Sequence, residues 1–315
     1  MTVPLLDDRA LATALRGLFA ETAVAGGVEI LARRPNEYAS SSRGEIVTVR
    51  LPTGAARDLF VKYRRALDPV PRCRHGVEYC AAVNRHLVAR LPLPHVTALG
   101  LVHVGDPPAA ALVFEHAAAS LRVGEAPDGS GIRAAAEWCG RLHAWGESAK
   151  DDPALAFLAR YDETYYRAWA ARALAIAAAA GAAAPWLERA GGDFAGHAAM
   201  LAAAPATTIH GDFGPQNVLW SHGEIHPVDW ESAAVGPGEI DLATLLFGWP
   251  ADTVERCVAA YWRERGEPRP ATFADTWRAA TLYTAFRWVP PAEAGVDAVA
   301  KALATLERTW AASAG

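Results

Sequence analysis

Between Ile209 and Glu231 the chain reads IHGDFGPQNVLWSHGEIHPVDWE. His210, Gly211 and Asp212 are followed, after a four-residue gap, by Asn217, and then by apolar Val218, Leu219 and Trp220. Ser221 to Glu224 place a glycine among short polar residues, which punctuates a pair of strands. Ile225 to Trp230 then read as the return strand. A hairpin centred near His222 and Gly223 folds Asn217 back beside Asp229, with Asp212 one loop away. Oxygen-bearing side chains at the open end of a short hairpin suit a divalent cation held by hard ligands. A third carboxylate is left to orient a hydroxyl. Phosphoryl transfer asks for little else: in-line positioning, neutralisation of phosphate charge and a base for the incoming hydroxyl.

The Asp-x4-Asn spacing also matches the kinase catalytic loop, where the Asp takes the hydroxyl proton and the Asn holds a metal. HGDFGPQN followed by VDWE resembles the aminoglycoside phosphotransferase and choline kinase-like enzymes, small-molecule kinases with a protein-kinase-like fold. The resemblance implies an α+β, two-lobed chain with a small antiparallel-sheet N-lobe and a mostly helical C-lobe. It implies Asp212 as catalytic base and Asn217 and Asp229 as ligands of Mg2+, with ATP or GTP as phosphate donor. GPGEIDLATLL (Gly236 to Leu246) resembles the family's glycine-then-Asp-Leu-Ala segment, in which Asp241 anchors the catalytic loop rather than reacting.

The preceding residues fit an amino-terminal nucleotide-binding lobe. Asp7 or Asp8 caps a first helix through about Phe19, with Leu11, Leu15 and Leu18 on one face. Strands are expected at Val28 to Ala32, Glu45 to Leu51 and Asp58 to Tyr63. In the resemblance, the loop between the first two covers the ATP phosphates. Here it carries Ser40, Ser41 and Ser42 where protein kinases have glycines. The chain has only three lysines, and Lys62 lies inside the apolar strand LFVKY, where a charge needs a partner. The resemblance makes it the lysine that reaches the α- and β-phosphates, paired with Glu78 of the following helix. Strands over Val96 to Val104 and Ala111 to His116 follow. There the family's hinge would present backbone groups near Glu115 and Ala117 to the adenine. The lobe boundary is placed at residue 117, giving lobes of 1–117 and 118–315.

Beyond it, a helix from Ile132 to about Trp145 carries Leu142-His143-Ala144, which resembles the family's helix beneath the catalytic loop and makes His143 a core residue. His210 supports the loop backbone. Residues 153–203 are alanine-rich and helical, broken at Gly181 and Pro185. Helices over about Thr253 to Arg265, Thr272 to Trp288 and Ala292 to Ala312 finish the chain. Trp249, Trp277, Tyr283 and Trp288 are candidates to line an acceptor pocket.

Composition narrows the alternatives. Hydrophobic residues at 52% and charged residues at 21% mark a globular chain, and a net charge of −5 argues against nucleic acid as partner. The four cysteines, Cys73, Cys80, Cys139 and Cys257, form no zinc pattern and read as reduced thiols. No apolar run reaches membrane-spanning length and the start of the chain has no signal-peptide core, so the expectation is a cytoplasmic enzyme without membrane contact. No GxxxxGK[ST] and no GxSxG occurs. The expected partner is a small-molecule hydroxyl acceptor: an aminoglycoside or other antibiotic, or else a sugar, amino alcohol or nucleoside-type metabolite. Only eleven residues separate Asp229 from Asp241, too few for a peptide-docking activation segment, which disfavours a protein kinase. A catalytically silent kinase-like binding protein is the remaining alternative. Such proteins lose the lysine, the base or a metal ligand, and this chain keeps all of them.

Overall fold

The computed structural model describes residues 6–19, 27–36, 44–63, 76–104, 109–118, 120–126 and 129–313. The chain divides into two units. One gathers the described residues up to Ser120 together with His226–Glu231; the other holds Leu121–Ile225 and the chain from Ser232 onward. The sequence-based boundary at 117 did not provide for this returning segment.

In the first unit, α1 (Asp8–Leu18) starts at Asp7, whose carboxylate accepts the Ala10 N–H at 2.7 Å and so satisfies a donor that the first turn leaves open. Leu11 and Leu15 are buried on the face that packs on the sheet. The sheet is antiparallel. Its strands are β1 (Glu29–Pro35), β2 (Gly44–Arg50), β3 (Ala56–Tyr63), β4 (Ala98–Val104) and β5 (Ala109–Glu115), in the spatial order β1-β2-β3-β5-β4. Helix α2 (Gly76–His86) packs on β4 and β5. Strand β2 alternates, sending Glu45, Val47 and Val49 inward. Glu45 is tolerated in that core because Arg33 reaches both its oxygens, at 2.8 and 2.6 Å, and the Tyr63 hydroxyl donates to it as well. Lys62 pairs with Gly44 on β2 and Leu112 on β5, so it occupies an interior strand, as its apolar neighbours suggested.

The second unit is mostly helical. Strand β6 (Leu121–Arg122) precedes α3 (Ser130–Ala149), and β7 (Ala159–Arg160) precedes α4 (Glu163–Ala179) and α5 (Pro185–Ala203). Strands β8 (Ala206–Ile209), β9 (Val218–Ser221), β10 (Glu224–Pro227) and β11 (Ala234–Pro237) follow, then α6 (Glu239–Leu246), α7 (Ala251–Arg265), α8 (Phe273–Arg287) and α9 (Val296–Ser313). The expected hairpin is β9–β10. Its turn residues His222 and Gly223 both have positive φ, at 51° and 85°, the twist that suits a two-residue hairpin. The return strand ends at Pro227, short of the expected Trp230, because Asp229 enters the left-handed region at φ 67° and Trp230–Ser232 form a 3₁₀ turn. Strand β11 was not expected. It is buried along its whole length, pairing antiparallel with β8 and parallel with β7. No helix among the described residues is long and apolar enough to cross a membrane.

Candidate active site

The expected site residues fall into two groups, one in each unit. In the first unit Lys62, at the buried end of β3, meets the segment that returns from the hairpin. Its ammonium lies 2.6 Å from Asp229 Oδ1 and 3.1 Å from Glu231 Oε2. The side chains of Lys62 and Glu231 are only 8% and 2% exposed, so the pair is little screened by water. Burial works against the charge on Lys62, but the two carboxylates, Asp229 foremost, more than offset it and raise the ammonium's proton affinity above the usual range. The neighbouring Cys80 thiol is pushed up to about 12, chiefly by burial, with Lys62 opposing.

This arrangement corrects one expectation. The carboxylates that hold Lys62 come from the Asp-Trp-Glu segment, not from Glu78 on α2. The left-handed turn at Asp229 followed by the 3₁₀ turn brings two carboxylates, spaced two apart, onto one cation. At the end of β5, the Glu115 N–H already donates to the Thr97 carbonyl at 3.0 Å, and its carboxylate lies 3.6 Å from Arg57. The Ala117 carbonyl accepts the Ser120 hydroxyl at 3.0 Å. Ser40, Ser41 and Ser42 lie outside the described residues.

In the second unit the loop after β8 is fixed from several sides. Asp241, fully buried at the start of α6, accepts the His210 N–H at 2.6 Å on Oδ2 and the Gly211 N–H at 2.8 Å on Oδ1. His143 of α3 lies 3.2 Å from the same Oδ2. Burial lowers the proton affinity of His143, which favours the neutral ring. Its Nε2–H therefore donates to the carboxylate, while Nδ1 accepts the Tyr261 hydroxyl at 2.8 Å. Cys139, His143 and Asp241 are the one cluster of metal-ligating types among the described residues, but Asp241 is already committed to two backbone amides and a ring. It is an anchor, with no oxygen set aside for an ion.

The loop itself is built for this anchoring. Gly211 has φ 77°, and a Cβ there would stand 2.0 Å from the Ser232 carbonyl oxygen, so no other residue fits. The Asp212 N–H donates to His210 Nδ1 at 3.2 Å, and its carbonyl accepts Asn217 Nδ2 at 2.9 Å. With its nitrogen so committed, Asn217 has its amide oxygen for a cation. That oxygen and the Asp229 carboxylate are both hard donors of the kind magnesium takes. Sequence reasoning missed Arg287, the last residue of α8. Its guanidinium lies 3.1 Å from Asp212 Oδ1, donates to the Gly211 carbonyl and, at 3.4 Å, to the Ser232 hydroxyl, and sits over the Trp169 ring. No local pattern marks it, because it is seventy-five positions from the Asp212 carboxylate it touches.

Of the four aromatics expected in an acceptor pocket, Tyr283 is fully buried and bonds to the Tyr165 hydroxyl at 3.1 Å, and Trp288 packs edge-on against Phe247. Trp249 and Trp277 line a cavity of about 870 Å³ with Trp262 and Phe273.

Residues 42–283 match the model of the phosphotransferase enzyme family. No curated protein sequence matches the chain. Among solved structures, the GDP complex of wild-type aminoglycoside 2'-phosphotransferase-IIIa has a TM-score of 0.60 at 13% identity, over 97% of this chain and 99% of the other. A choline/ethanolamine kinase family protein from Mesorhizobium loti has 0.57 at 17% identity, over 97% and 98%. The macrolide 2'-phosphotransferase MphH from Brachybacterium faecium has 0.55 at 19% identity, over 94% and 97%. At these identities the likeness is one of fold, the protein-kinase-like α+β architecture that the motifs implied.

Proposed function

Because this chain belongs to the phosphotransferase enzyme family, we propose that it moves the γ-phosphoryl group of ATP or GTP onto a hydroxyl of a small molecule. The observation that carries the reading is Asp212. Backbone groups on both sides of it are tied down, and one of its carboxylate oxygens is held by Arg287. A base that must meet an incoming hydroxyl within hydrogen-bond reach needs that kind of fixing.

In this reading Asp212 orients the acceptor hydroxyl and receives its proton. The hydroxyl oxygen forms a bond to the γ-phosphorus as the bond to the β-phosphate bridging oxygen breaks, and the nucleoside diphosphate departs with that electron pair. Lys62 exchanges its contact with Asp229 for the α- and β-phosphates while Glu231 keeps it in place. Asn217 and Asp229 would hold Mg2+, which supplies neutralisation of the phosphate charge. Glu115 and Ala117 would meet the base of the nucleotide with backbone groups, and Ser40, Ser41 and Ser42 its phosphates. A purine nucleotide donor is in keeping with the GDP bound in one structure of similar fold. The acceptor would be an aminoglycoside or macrolide-type antibiotic, or an amino alcohol, the classes named for the proteins of similar fold. A sugar or nucleoside remains in the panel.

The test is magnesium-dependent transfer from ATP and GTP across those acceptors, with Asp212→Ala assayed in parallel. We expect a phosphorylated product whose formation falls by about 10²–10⁴-fold in the variant, with nucleotide binding retained. Turnover of Asp212→Ala at the wild-type rate would remove Asp212 as base. A protein that binds nucleotide and phosphorylates nothing would favour the silent binding reading.

A further inference from the structure

We propose that Arg287 is a positioning residue for the reaction: it sets the direction in which the Asp212 carboxylate faces the acceptor hydroxyl. The inference rests on the phosphotransfer reading above and concerns a residue outside its motifs.

A buried guanidinium is expensive to desolvate. Where it only fills space, an apolar side chain of like size serves as well or better. Arg287 is 7% exposed and lies among Tyr161, Tyr165, Tyr283 and Trp169. Burial opposes its charge, and Asp212 is the strongest of the groups that preserve it. Its contacts converge on one short piece of chain. One nitrogen reaches the Gly211 carbonyl; the other reaches Asp212 Oδ1 at 3.1 Å and the Ser232 hydroxyl at 3.4 Å. A planar fork that grips a peptide carbonyl and the next side chain together fixes both the backbone and the rotamer of that residue.

The opposite edge of the same loop is held by Asp241 through the amides of His210 and Gly211. Tyr161 completes the frame, donating its hydroxyl to the Ser232 carbonyl at 2.6 Å. The loop is thus clamped by an anion at its N–H groups and by a cation at its carbonyl. With Oδ1 held by the guanidinium, the rotamer of the Asp212 carboxylate is set, and with it the direction in which that carboxylate meets the hydroxyl. A lysine at 287 could match the charge but could not make both diverging contacts with one fixed geometry.

The experiment compares Arg287→Met, Arg287→Lys, Asp212→Asn and the double variant Arg287→Met/Asp212→Asn. It reads kcat, KM for nucleotide and acceptor, and thermal melting. Arg287→Met should lower kcat by about 10²-fold, the scale of a base misplaced by an ångström, with nucleotide KM within about twofold of wild type. Arg287→Lys should recover part of the rate. In the Asp212→Asn background the Met substitution should lower the residual rate by less than about threefold, because residues that act as a unit are not additive. Either an Arg287→Met enzyme with near-wild-type kcat, or the full loss persisting when Asp212 is already Asn, would overturn the role. If Arg287→Met melts below assay temperature, Arg287→Lys decides: wild-type kcat in that variant overturns the proposal. A wild-type protein that binds nucleotide but transfers phosphate to no acceptor removes the phosphotransfer reading first, and this role with it.

Discussion

Lys62 sits between two carboxylates, and removing it leaves both in a poorly hydrated place. Lys62→Met should therefore lower stability by about 3 kcal/mol, the scale of a buried pair broken on one side. Combining it with Glu231→Gln should regain a good part of that loss, since the variant amide carries no charge into that buried place. Urea midpoints of the wild type, the two single variants and the double variant would show the coupling. A double variant no more stable than Lys62→Met would mean that Glu231 is not the partner that matters. The lysine itself was legible, being rare in this chain and set in an apolar strand. Its partner was not: counting along the sequence finds Glu78, whereas the backbone turn at Asp229 delivers Glu231. Arg287 was hidden for the same reason, because its contacts with Gly211 and Asp212 exist only after α8 has packed.

Helix α3 shows why element boundaries were easier to read than element contacts. Its periodicity gave a helix over 132–145, and the observed helix is longer at both ends. What periodicity cannot show is how closely other chain segments approach it. A Cβ on Gly140 would lie 2.4 Å from the Tyr261 carbonyl of α7, and one on Gly146 would lie 2.8 Å from the Thr207 hydroxyl oxygen of β8. Gly140→Ala should therefore destabilise by about 1–3 kcal/mol through overpacking, despite alanine's better helix propensity. Gly192→Ala on α5, where a Cβ meets nothing within 4 Å, should instead stabilise by up to about 1 kcal/mol. Opposite shifts in unfolding midpoint are the expected result; equal shifts would mean that propensity alone governs both sites. Strand β11 escaped sequence reading because Gly236 and Pro237 look like loop residues. It becomes a strand because β7 and β8 supply ladder partners on both sides, a preference set by neighbours rather than by the residues themselves.

Across the whole molecule, burial lowers the proton affinity of His116, His143 and His197 below the reference value of 6.5. The unfolded chain then binds protons that the folded chain refuses. The stability tied to these groups is complete above about pH 6.5 and is lost as pH falls from there through their lowered folded values. Glu239, raised by burial, acts in the opposite sense. The melting temperature should fall between pH 7.5 and 5.5, and His197→Gln should flatten the fall; a wild-type curve that rises on acidification would contradict this. The division of the chain has a consequence of a different kind, in the order of synthesis. The first unit includes His226–Glu231, so its sheet leaves the ribosome well before the segment that completes it. At about 5–20 residues per second that interval is on the order of ten seconds. Throughout it the nascent sheet carries Lys62 without Asp229 or Glu231 to receive it. A message truncated after Ser120 would leave that vacancy permanent, yielding a polypeptide with an orphaned interior cation and every reason to be captured by quality control.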